Sequence, residues 1–320
     1  MNSFRTSFSV TSDLVASYNM LETKCLICGN PQLLERFPDE LAESLPTFDY
    51  TFTRQTRRTY RIAECKTCSH QQVDPMPSIE SAYGEVIDET YLNSRAQRLK
   101  TAQHLLKEIR LRHVDARTLL DVGCNTGFFL DEASKHFQSE GLELSKWAAE
   151  IARRQHIVHS VPLVDFNPRH QFDIVTLLGV IEHFEDPVSE LKRLAAITSP
   201  NGLLVIFTGT RDSWLPRLLQ KKWWWYQGMH LQYFTKSSLI RAVKQAGFEI
   251  PEIVTHTSYF SLESLFQSAQ RYPLAKIWAS PLKLPGIRGL VVPVKISGES
   301  LLFARKQSTG SPSANTGLPN

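Results

Sequence analysis

Two regular patterns of apolar and polar positions alternate along residues 118–248. Short apolar runs such as "RTLLDVG", ending at Gly123, have the composition of strands that are buried on both faces. Other segments carry apolar residues at three- and four-residue steps, such as "FFLDEASKHF" with Phe129, Ala133 and Phe137 on one helical face. This alternation predicts an α/β fold in which helices cover both faces of a parallel sheet.

The same alternation continues on either side of that first strand and helix. An amphipathic helix with a basic outer face is predicted from Ala96 to Ile109, leading into the sheet. After it, further strands are predicted at "SEGLEL", "IVHSVPL", "FDIVTLLGV" and "GLLVIFTG", and further helices at "KWAAEIARRQH" and "PVSELKRLAAIT". Five strands are therefore expected in the large domain before residue 210.

The stretch "LLDVGCNTGFFL" is a sharp junction between the first strand and its helix. Gly123 and Gly127 follow Asp121 as D-x-G-x-x-x-G, and such a turn lets backbone N–H groups approach a ligand at the start of a helix. Glu143 ends the second strand, where a carboxylate can bind both hydroxyls of a ribose. Each feature also has a purely structural reading, as a tight turn and as a solvated acid.

Four of the five cysteines form two C-x-x-C pairs, Cys25 with Cys28 and Cys65 with Cys68. Two such knuckles are typical of a tetrahedral thiolate site for structural zinc, because four sulfurs leave no open coordination position. A redox pair or disulfides are the alternatives. His70 is expected at the surface; the alternative is that it replaces one of the cysteines as a zinc ligand.

The residues between the two knuckles alternate as strands do, around Tyr50, Phe52, Tyr60 and Ile62. We therefore expect a small zinc ribbon, in which the metal replaces a missing hydrophobic core.

Composition changes this picture little. The chain has 320 residues, 42% hydrophobic and 21% charged, with a net charge of +4, which suits an anionic substrate or surface without requiring one. The start of the chain lacks the pattern of a secretory signal, and no apolar run is long enough for a membrane span. A cytoplasmic protein is expected, with peripheral contact to the inner face of the membrane left open.

With these motifs in place, residues 118–248 resemble the class I S-adenosylmethionine-dependent methyltransferases. "LLDVGCNTGFFL" is similar to the family's first motif, "GLELS" to its ribose-binding strand end, "FDIVTLLGVIEHFEDP" to its fourth strand and "SPNGLLVIF" to the turn into its fifth strand. The resemblance implies a Rossmann-like sheet, mostly parallel with an antiparallel last strand, beside the small zinc-ribbon module.

The resemblance also implies the cofactor, S-adenosylmethionine, and its contacts. Residues of the first motif would cradle the methionine part, and Glu143 would bind the ribose. The full set of expected cofactor-binding residues is Asp121, Gly123, Cys124, Asn125, Gly127, Glu143, Leu144, Asp165 and Leu178. Asn125 stands where glycine is commonest, and Pro162 stands near the usual adenine-side acid, so Asp165 is only a weak candidate there.

The N-terminal knuckles followed by "VDPMPSIESAYGEVIDETY" resemble the zinc-binding segment of methyltransferases from bacterial sugar and surface-polysaccharide pathways. "LQKKWWWYQGMHLQYFTKSSL" and the last predicted strand, "VPVKISGESLLFARK", are similar to the same subgroup. The expected organisation is a flexible N-terminus at 1–20, a zinc module at 21–75, a methyltransferase core at 76–253, a cap or lid with the last strand at 254–306 and a disordered tail at 307–320.

A sulfonium already activates the methyl group, so the protein has mainly to align the reactants, exclude water and remove a proton. His183, just past the fourth strand, and His230, in the loop before a helix, are the candidate bases, with Glu182 as an orienting or substrate-binding acid. Loop-fixing roles for both histidines stay open. Because Gly179 replaces an acid that some relatives use with the Glu-His pair, no catalytic magnesium is expected.

Four consecutive aromatics, Trp223 to Tyr226, cannot all face one core. Packing of two or three is the majority interpretation, while at least one is expected to line a pocket, stack on a sugar or base, or meet a lipid surface beside Lys221 and Lys222. The basic, amphipathic region 256–294 is interpreted as a lid, a membrane patch or a two-helix cap.

Three functions are carried forward. The first is methyl transfer to a small-molecule or glycan-type acceptor, as O- or C-methylation of a sugar that is free or lipid-linked. The second is an RNA-base methyltransferase that docks RNA on the zinc module, and the third is a non-catalytic cofactor-binding scaffold. The modest charge and the lack of a dense basic cluster beyond "RQTRR" disfavour RNA, and no DNA partner is expected. The sequence does not indicate an oligomeric state.

Overall fold

The structure is a computed structural model that describes residues 23–41, 46, 57–269 and 289–307. The expected N-terminus at 1–20 and all but the first residue of the expected tail at 307–320 lie outside the described residues, as do Tyr50 and Phe52. The described strands, in chain order, are β1 Leu33–Phe37, β2 Ile62–Cys65, β3 Gln71–Val73, β4 Thr118–Val122, β5 Gln138–Leu142, β6 Ile157–His159, β7 Phe172–Leu178, β8 Thr198–Gly209, β9 Gln232–Tyr233, β10 Phe248–Ser261 and β11 Val291–Lys306.

Short and long helices alternate with these strands. They are α1 Glu89–Asn93, α2 Arg95–Arg112, α3 Phe128–Ala133, α4 Lys146–Ala152, α5 Pro187–Ile197, α6 Trp214–Leu219, α7 Lys236–Gln245 and α8 Leu262–Ala269. The expected helix after Gly127 ends at Ala133 instead of running to Phe137, because β5 begins at Gln138 and the chain first turns, with the N–H groups of His136 and Phe137 both donating to the Ala133 carbonyl.

The larger sheet has seven strands in the order β10-β11-β8-β7-β4-β5-β6. The strands β8, β7, β4, β5 and β6 run parallel, whereas β11 is antiparallel to both β8 and β10. This is the predicted Rossmann-like sheet with an antiparallel last strand. Parallel strands place their carboxyl ends at one edge, so the residues that follow β4, β5, β7 and β8 meet there.

Helices cover both faces of this sheet, since successive strand residues point to opposite sides. Leu120 packs on one face in a cluster with Leu191 of α5 and Leu239 of α7. Its neighbour Leu119 packs on the other face with Leu105 of α2 and residues of α3 and α4. Both faces are therefore buried, which explains why the strands read as continuous apolar runs.

The N-terminal region forms a second, antiparallel sheet in the order β1-β2-β3-β9. Its fourth strand, β9, comes from residues 232–233, far along the chain, and pairs Gln72 with Gln232. Cys25, Leu33 and Cys65 share one hydrophobic cluster with Phe234 and Leu239. The N-terminal module is thus joined to the larger domain by a shared sheet and a shared core.

One local expectation was wrong. His70 is buried and not at the surface, because its Nε2 lies 2.9 Å from Gln232 Oε1 and its ring contacts Phe234. In the region interpreted as a lid, a membrane patch or a two-helix cap, residues 257–261 belong to β10, since they pair with residues 291–295 of β11. The helical part of the expected lid begins at Leu262, and residues 270–288 lie outside the described residues.

Candidate functional site

A cavity of about 790 Å³ opens at the carboxyl ends of the parallel strands. Gly123 follows β4, Glu143 follows β5, Gly179 follows β7 and Phe207 lies near the end of β8, and all four line the cavity. The position is the one expected of a ligand site in an open α/β sheet. One space therefore holds both the glycine turn and the Glu-His pair that the sequence singled out.

The turn after β4 has a backbone that side chains would obstruct. Gly123 has φ +73°, and a Cβ placed there would lie 2.5 Å from Val180 Cγ2. Gly127 has φ +88° and caps α3, where a Cβ would come within 3.0 Å of the His156 ring. Asn125 adopts the left-handed conformation at φ +50°, which asparagine tolerates better than most residues. Asparagine thus fills the place where glycine is commonest without breaking the turn.

Glu143 bridges the turn to the next helix. Its Oε2 accepts a hydrogen bond from the Asn125 N–H at 2.8 Å, and its Oε1 accepts one from the Ser145 N–H at 2.7 Å. Burial raises the pKa of this carboxyl, while the two backbone bonds favour the charged form and hold the side chain in place. Each oxygen keeps a further lone pair, so the carboxylate can still accept bonds from a ligand.

Two residues of the first motif lie beneath the cavity and do not line it. The Asp121 carboxylate is buried and accepts a hydrogen bond from Thr176 Oγ1 at 2.6 Å, and burial raises its pKa to about 7. Cys124 is also buried, with its sulfur packed against Gly141. Its thiol pKa is raised well above the usual value by burial. Both residues therefore support the turn from below.

The side of the cavity beyond Glu143 is apolar. Leu144, Val161, Leu163 and Leu178 contribute its lining. Asp165 ends the short helical turn at Leu163–Asp165, is exposed and does not line the cavity. An apolar slot of this kind accommodates a flat ring between side chains.

Glu182, His183 and His230 come together although 48 positions separate the first from the last along the chain. One nitrogen or oxygen atom of each lies within 4.8 Å of the others. Glu182 is buried, and its Oε2 accepts a hydrogen bond from Thr208 Oγ1 at 2.9 Å. Burial raises the pKa of Glu182 to about 8.

Both histidines are oriented by backbone carbonyls. His183 Nδ1 lies 3.0 Å from the Met229 carbonyl oxygen and 2.8 Å from the Tyr83 hydroxyl, and His230 Nδ1 lies 2.7 Å from the Trp225 carbonyl oxygen. A carbonyl only accepts, so these bonds place a proton on Nδ1 and leave Nε2 as the basic atom. Burial lowers the pKa of His183 to about 4 and that of His230 well below its usual value.

A second polar group lines the same cavity from β10 and β11. His256 and Glu299 are both buried, and Ser258 Oγ lies 3.4 Å from Glu299 Oε2. Burial raises the pKa of Glu299 to about 7, although a hydrogen bond from Trp224 lowers it in part. Among the described residues, no hydrogen-bond partner exists for His256 Nδ1 or for the buried Trp225 Nε1.

The aromatic run divides as the sequence suggested. Trp223, Trp225 and Tyr226 are buried and pack together with Tyr233, whereas Trp224 is half-buried. Trp224 and Trp225 line the cavity. The majority interpretation, packing of two or three of these rings, agrees with the burial of Trp223, Trp225 and Tyr226.

Residues 80–98 form a wall that the sequence analysis did not assign to the site. Tyr83 reaches His183, and Tyr91 stacks on Phe128 at 5.2 Å between ring centroids while Arg98 lies 3.7 Å above the Tyr91 ring. Ser145 Oγ donates to the Val86 carbonyl and ties this segment to the β5 end. In the sequence, this segment stands out only by the two tyrosines of "YGEVIDETY", and their spacing does not indicate that they line a cavity.

Comparison with known proteins now decides the family. A model described as "Methyltransferase domain" matches residues 94–253, half of the chain. The chain belongs to this methyltransferase family. The matched residues include the glycine turn, Glu143, the Glu-His pair and His230, so the methyltransferase uses S-adenosylmethionine as its methyl donor.

Two curated relatives of this methyltransferase share a name. The ubiquinone biosynthesis O-methyltransferase of Thiobacillus denitrificans is 28% identical over 194 residues, which cover 51% of this chain and 80% of that protein. The protein of the same name from Nitrosospira multiformis is 25% identical over 175 residues, covering 47% of this chain and 73% of that protein.

Solved methyltransferase structures show a likeness as well. A sugar N-methyltransferase from Streptoalloteichus has a TM-score of 0.46 and 18% identity, with coverage of 71% of this chain and 96% of that chain. A possible histamine N-methyltransferase from Thermotoga maritima has a TM-score of 0.44 and 19% identity, with coverage of 72% and 92%.

The four paired cysteines of the methyltransferase form a compact cluster. Cys25 Sγ lies 3.5 Å from Cys68 Sγ, and Cys28 Sγ lies 3.5 Å from Cys65 Sγ, all as free thiols. Sulfurs around a tetrahedral zinc ion stand about 3.8 Å apart. The hydrogen bond between Cys25 and Cys68 raises the pKa of Cys25 and lowers that of Cys68 to about 5, so one thiolate is already favoured.

Within the described part of the methyltransferase, no helix is both long enough and apolar enough to cross a membrane.

Proposed function

We propose that this methyltransferase moves the methyl group of S-adenosylmethionine to a small-molecule or glycan-type acceptor, most simply a sugar hydroxyl or sugar carbon. One observation carries the proposal: a single cavity joins the glycine turn and Glu143 to Glu182, His183, His230 and the tryptophans. The cofactor and the acceptor can therefore lie next to each other in the same cavity.

The residues around the turn fit the cofactor. The cavity beside Gly123 and Asn125 and its apolar lining at Leu144 and Leu178 match an amino-acid end and a flat ring. Gly123, Asn125 and Gly127 would hold the methionine part, with Asp121 and Cys124 supporting the turn, and Glu143 would accept bonds from ribose hydroxyls. Leu144, Leu163 and Leu178 would flank the adenine, where exposed Asp165 contributes little. When bound, the cofactor supplies an electrophilic methyl group.

The histidine pair would remove the acceptor's proton. His183 and His230 are neutral near pH 7 because burial lowers the pKa of each, and each offers Nε2 as a base. Glu182 stands beside both rings, and because burial raises its pKa to about 8 it is mostly protonated near pH 7, so it would orient a ring or the acceptor through hydrogen bonds. Tyr83 and the Met229 carbonyl hold His183 in the required tautomer.

The other polar group would bind the acceptor. Glu299 accepts hydrogen bonds, Trp225 Nε1 is a donor without a partner among the described residues, and Trp224 and Trp225 present apolar rings. A sugar has hydroxyls that both donate and accept, and apolar C–H faces that pack on aromatic rings. The names of the curated relatives concern O-methylation, which favours oxygen as the accepting atom.

The cysteine cluster would hold one structural zinc ion through Cys25, Cys28, Cys65 and Cys68. The sulfur spacing and the four-thiol shell support this role. Because β9 is part of the zinc sheet and follows His230 directly, the ion would also steady the loop that carries this candidate base.

The test is a methyl-acceptor panel with labelled S-adenosylmethionine. Free sugars, nucleotide-activated sugars, lipid-linked glycans, small phenols and RNA are compared at equal concentration, and product formation is followed together with release of the demethylated cofactor. Turnover confined to sugar-bearing acceptors supports the proposal. Turnover on phenols alone keeps the small-molecule class but contradicts a sugar acceptor, and turnover on RNA alone contradicts the proposal.

A further inference from the structure

Helix α6 presents two large apolar side chains to solvent. Trp214 is 67% exposed and Leu218 is 73% exposed. Four positions separate them, so they lie on one face of the helix, and Arg217 stands beside Leu218 on that side. The opposite side is fixed to the protein, because Pro216 is buried against Gly298. The apolar face is therefore held outward by a rigid support.

Cations surround the end of this helix. Arg217 and Lys222 are exposed, and Lys221 follows α6 directly. Arg36 donates to Gln220 Oε1 at 2.7 Å, and Arg57 donates to the Lys221 carbonyl at 3.2 Å. Two acids meet this group, Glu64 beside Arg36 and Glu40 beside Lys221. Among the described residues, the exposed Arg217 and Lys222 make no ion pair, so the end of α6 carries positive charge that no acid balances.

The α6 face lies at the rim of the substrate cavity. The helix follows the carboxyl end of β8, and its Pro216 packs on Gly298, whose neighbour Glu299 lines the cavity. Trp224, five positions after the helix ends, lines the cavity too. A surface that contacts Trp214 and Leu218 would therefore stand beside the acceptor pocket.

We propose that the α6 face, defined by Trp214, Arg217, Leu218 and Lys222, binds the surface of an anionic lipid bilayer. Proteins that bind the surface of a bilayer insert tryptophan and leucine side chains among the headgroups and place basic side chains beside them. The α6 face has this composition. The basic side chains favour an anionic bilayer, because they are attracted to anionic headgroups and gain no such attraction from neutral lipid. The proposal goes beyond the methyl-transfer reaction and does not depend on the identity of its acceptor.

The test is co-sedimentation of the full chain with sucrose-loaded vesicles of phosphatidylcholine alone and of phosphatidylcholine mixed with phosphatidylglycerol. Binding to the anionic vesicles is expected, weak on the neutral ones and reduced by salt. Trp214→Ala and Leu218→Ala should each lower the partition coefficient by about tenfold, and Arg217→Gln together with Lys222→Gln should remove the preference for anionic lipid.

Leu111→Ala is the matched control. Leu111 is 76% exposed between Arg110 and Arg112 at the end of α2, so it is also an apolar residue among cations. Arg112 contacts Glu252 of β10 and Arg305 of β11 near the start of β8, so Leu111 lies at the other end of the strands from α6. Its loss should leave vesicle binding unchanged. Absence of binding to anionic vesicles overturns the proposal, as does an equal loss in Leu111→Ala or full binding by Trp214→Ala. Unfolding temperatures of all variants separate these results from misfolding.

Discussion

The imidazole rings of His183 and His230 lie 4.8 Å apart between centroids, at an angle of 74°. One ring follows β7 and the other precedes β9, so the contact joins the large sheet to the sheet that carries the cysteines. A carbonyl oxygen fixes each Nδ1, which leaves two basic nitrogens near one carboxylate. This pair is the part of the cavity best suited to accept a proton.

Replacing either candidate base should slow methyl transfer without weakening the binding of the cofactor. We expect His230→Gln or His183→Asn to lower kcat by about a hundredfold to ten-thousandfold, the usual contribution of a general base. Initial rates with labelled S-adenosylmethionine measure the change, and calorimetry checks that the cofactor Kd is unaltered. His136→Asn is the control, since His136 lies at the end of α3 and does not line the cavity. If kcat falls by less than about threefold in both variants, neither histidine is the base that removes the proton.

The turn after β4 should not tolerate a methyl group. Gly123→Ala would place Cβ 2.5 Å from Val180 Cγ2 at φ +73°, so cofactor binding should be lost. Gly247→Ala is the matched control, because Gly247 has φ +90° but nothing within 4 Å of the added carbon. It should lose stability by about 1 kcal/mol from backbone strain and keep its cofactor affinity. Equal affinities in the two variants would contradict the assigned turn.

Stability should fall as pH rises from about 6.5 to 8. Burial raises the pKa of Glu182 to about 8 and of Glu299 to about 7, above the ordinary value of a glutamate. Above pH 6.5 the unfolded carboxyls are ionised, whereas folded Glu299 keeps its proton up to about pH 7 and folded Glu182 up to about pH 8, so each group costs up to about 1.4 kcal/mol per pH unit until it ionises in the folded form. The buried His183 and His256, whose pKa values are lowered, act in the opposite direction and only below their ordinary pKa.

Denaturant unfolding across this range measures the slope. Glu182→Gln and Glu299→Gln should each flatten it, because a glutamine does not ionise. Glu150→Gln, at an exposed position on α4, should leave the slope as it is in the wild type. A wild-type stability that rises from pH 6.5 to 8 would show that these acids are already ionised in the folded protein.

Metal content should depend on the paired cysteines alone. Cys65→Ser should lose bound zinc and unfold at a lower temperature, because three thiolates hold zinc less well than four. Cys124→Ala should keep one metal ion per chain, since Cys124 is packed below the glycine turn and far from the cluster in sequence. Elemental analysis after dialysis decides the matter, and an unchanged zinc content in Cys65→Ser would refute the site.

Much of the fold could be predicted because its signals are local. The run around Leu119 and Leu120 marks a strand buried on both faces, and these residues do pack on opposite sides of the sheet. Gly123 and Gly127 mark a turn that requires positive φ at both positions. The cysteine spacing indicated a cluster, and all four sulfurs do meet.

Other features depend on pairings between distant segments. Glu299 and His256 line the cavity because β11 and β10 pair beside β8, and no local pattern sets that register. His70 is buried because β9 brings Gln232 next to it, across 162 positions of chain. Tyr83 and Tyr91 form a cavity wall only once residues 80–98 fold over the strand ends. Long-range contacts of this kind leave no periodicity to read.

The most direct test of this account is isothermal titration of the purified protein with S-adenosylmethionine, in the wild type and in Glu143→Ala. Glu140→Ala is the control, because Glu140 lies on the same strand but pairs with His159 away from the cavity. We predict saturable binding in the wild type and in Glu140→Ala, and loss of binding in Glu143→Ala. Unchanged affinity in Glu143→Ala would contradict the cofactor site described at the ends of β4 and β5.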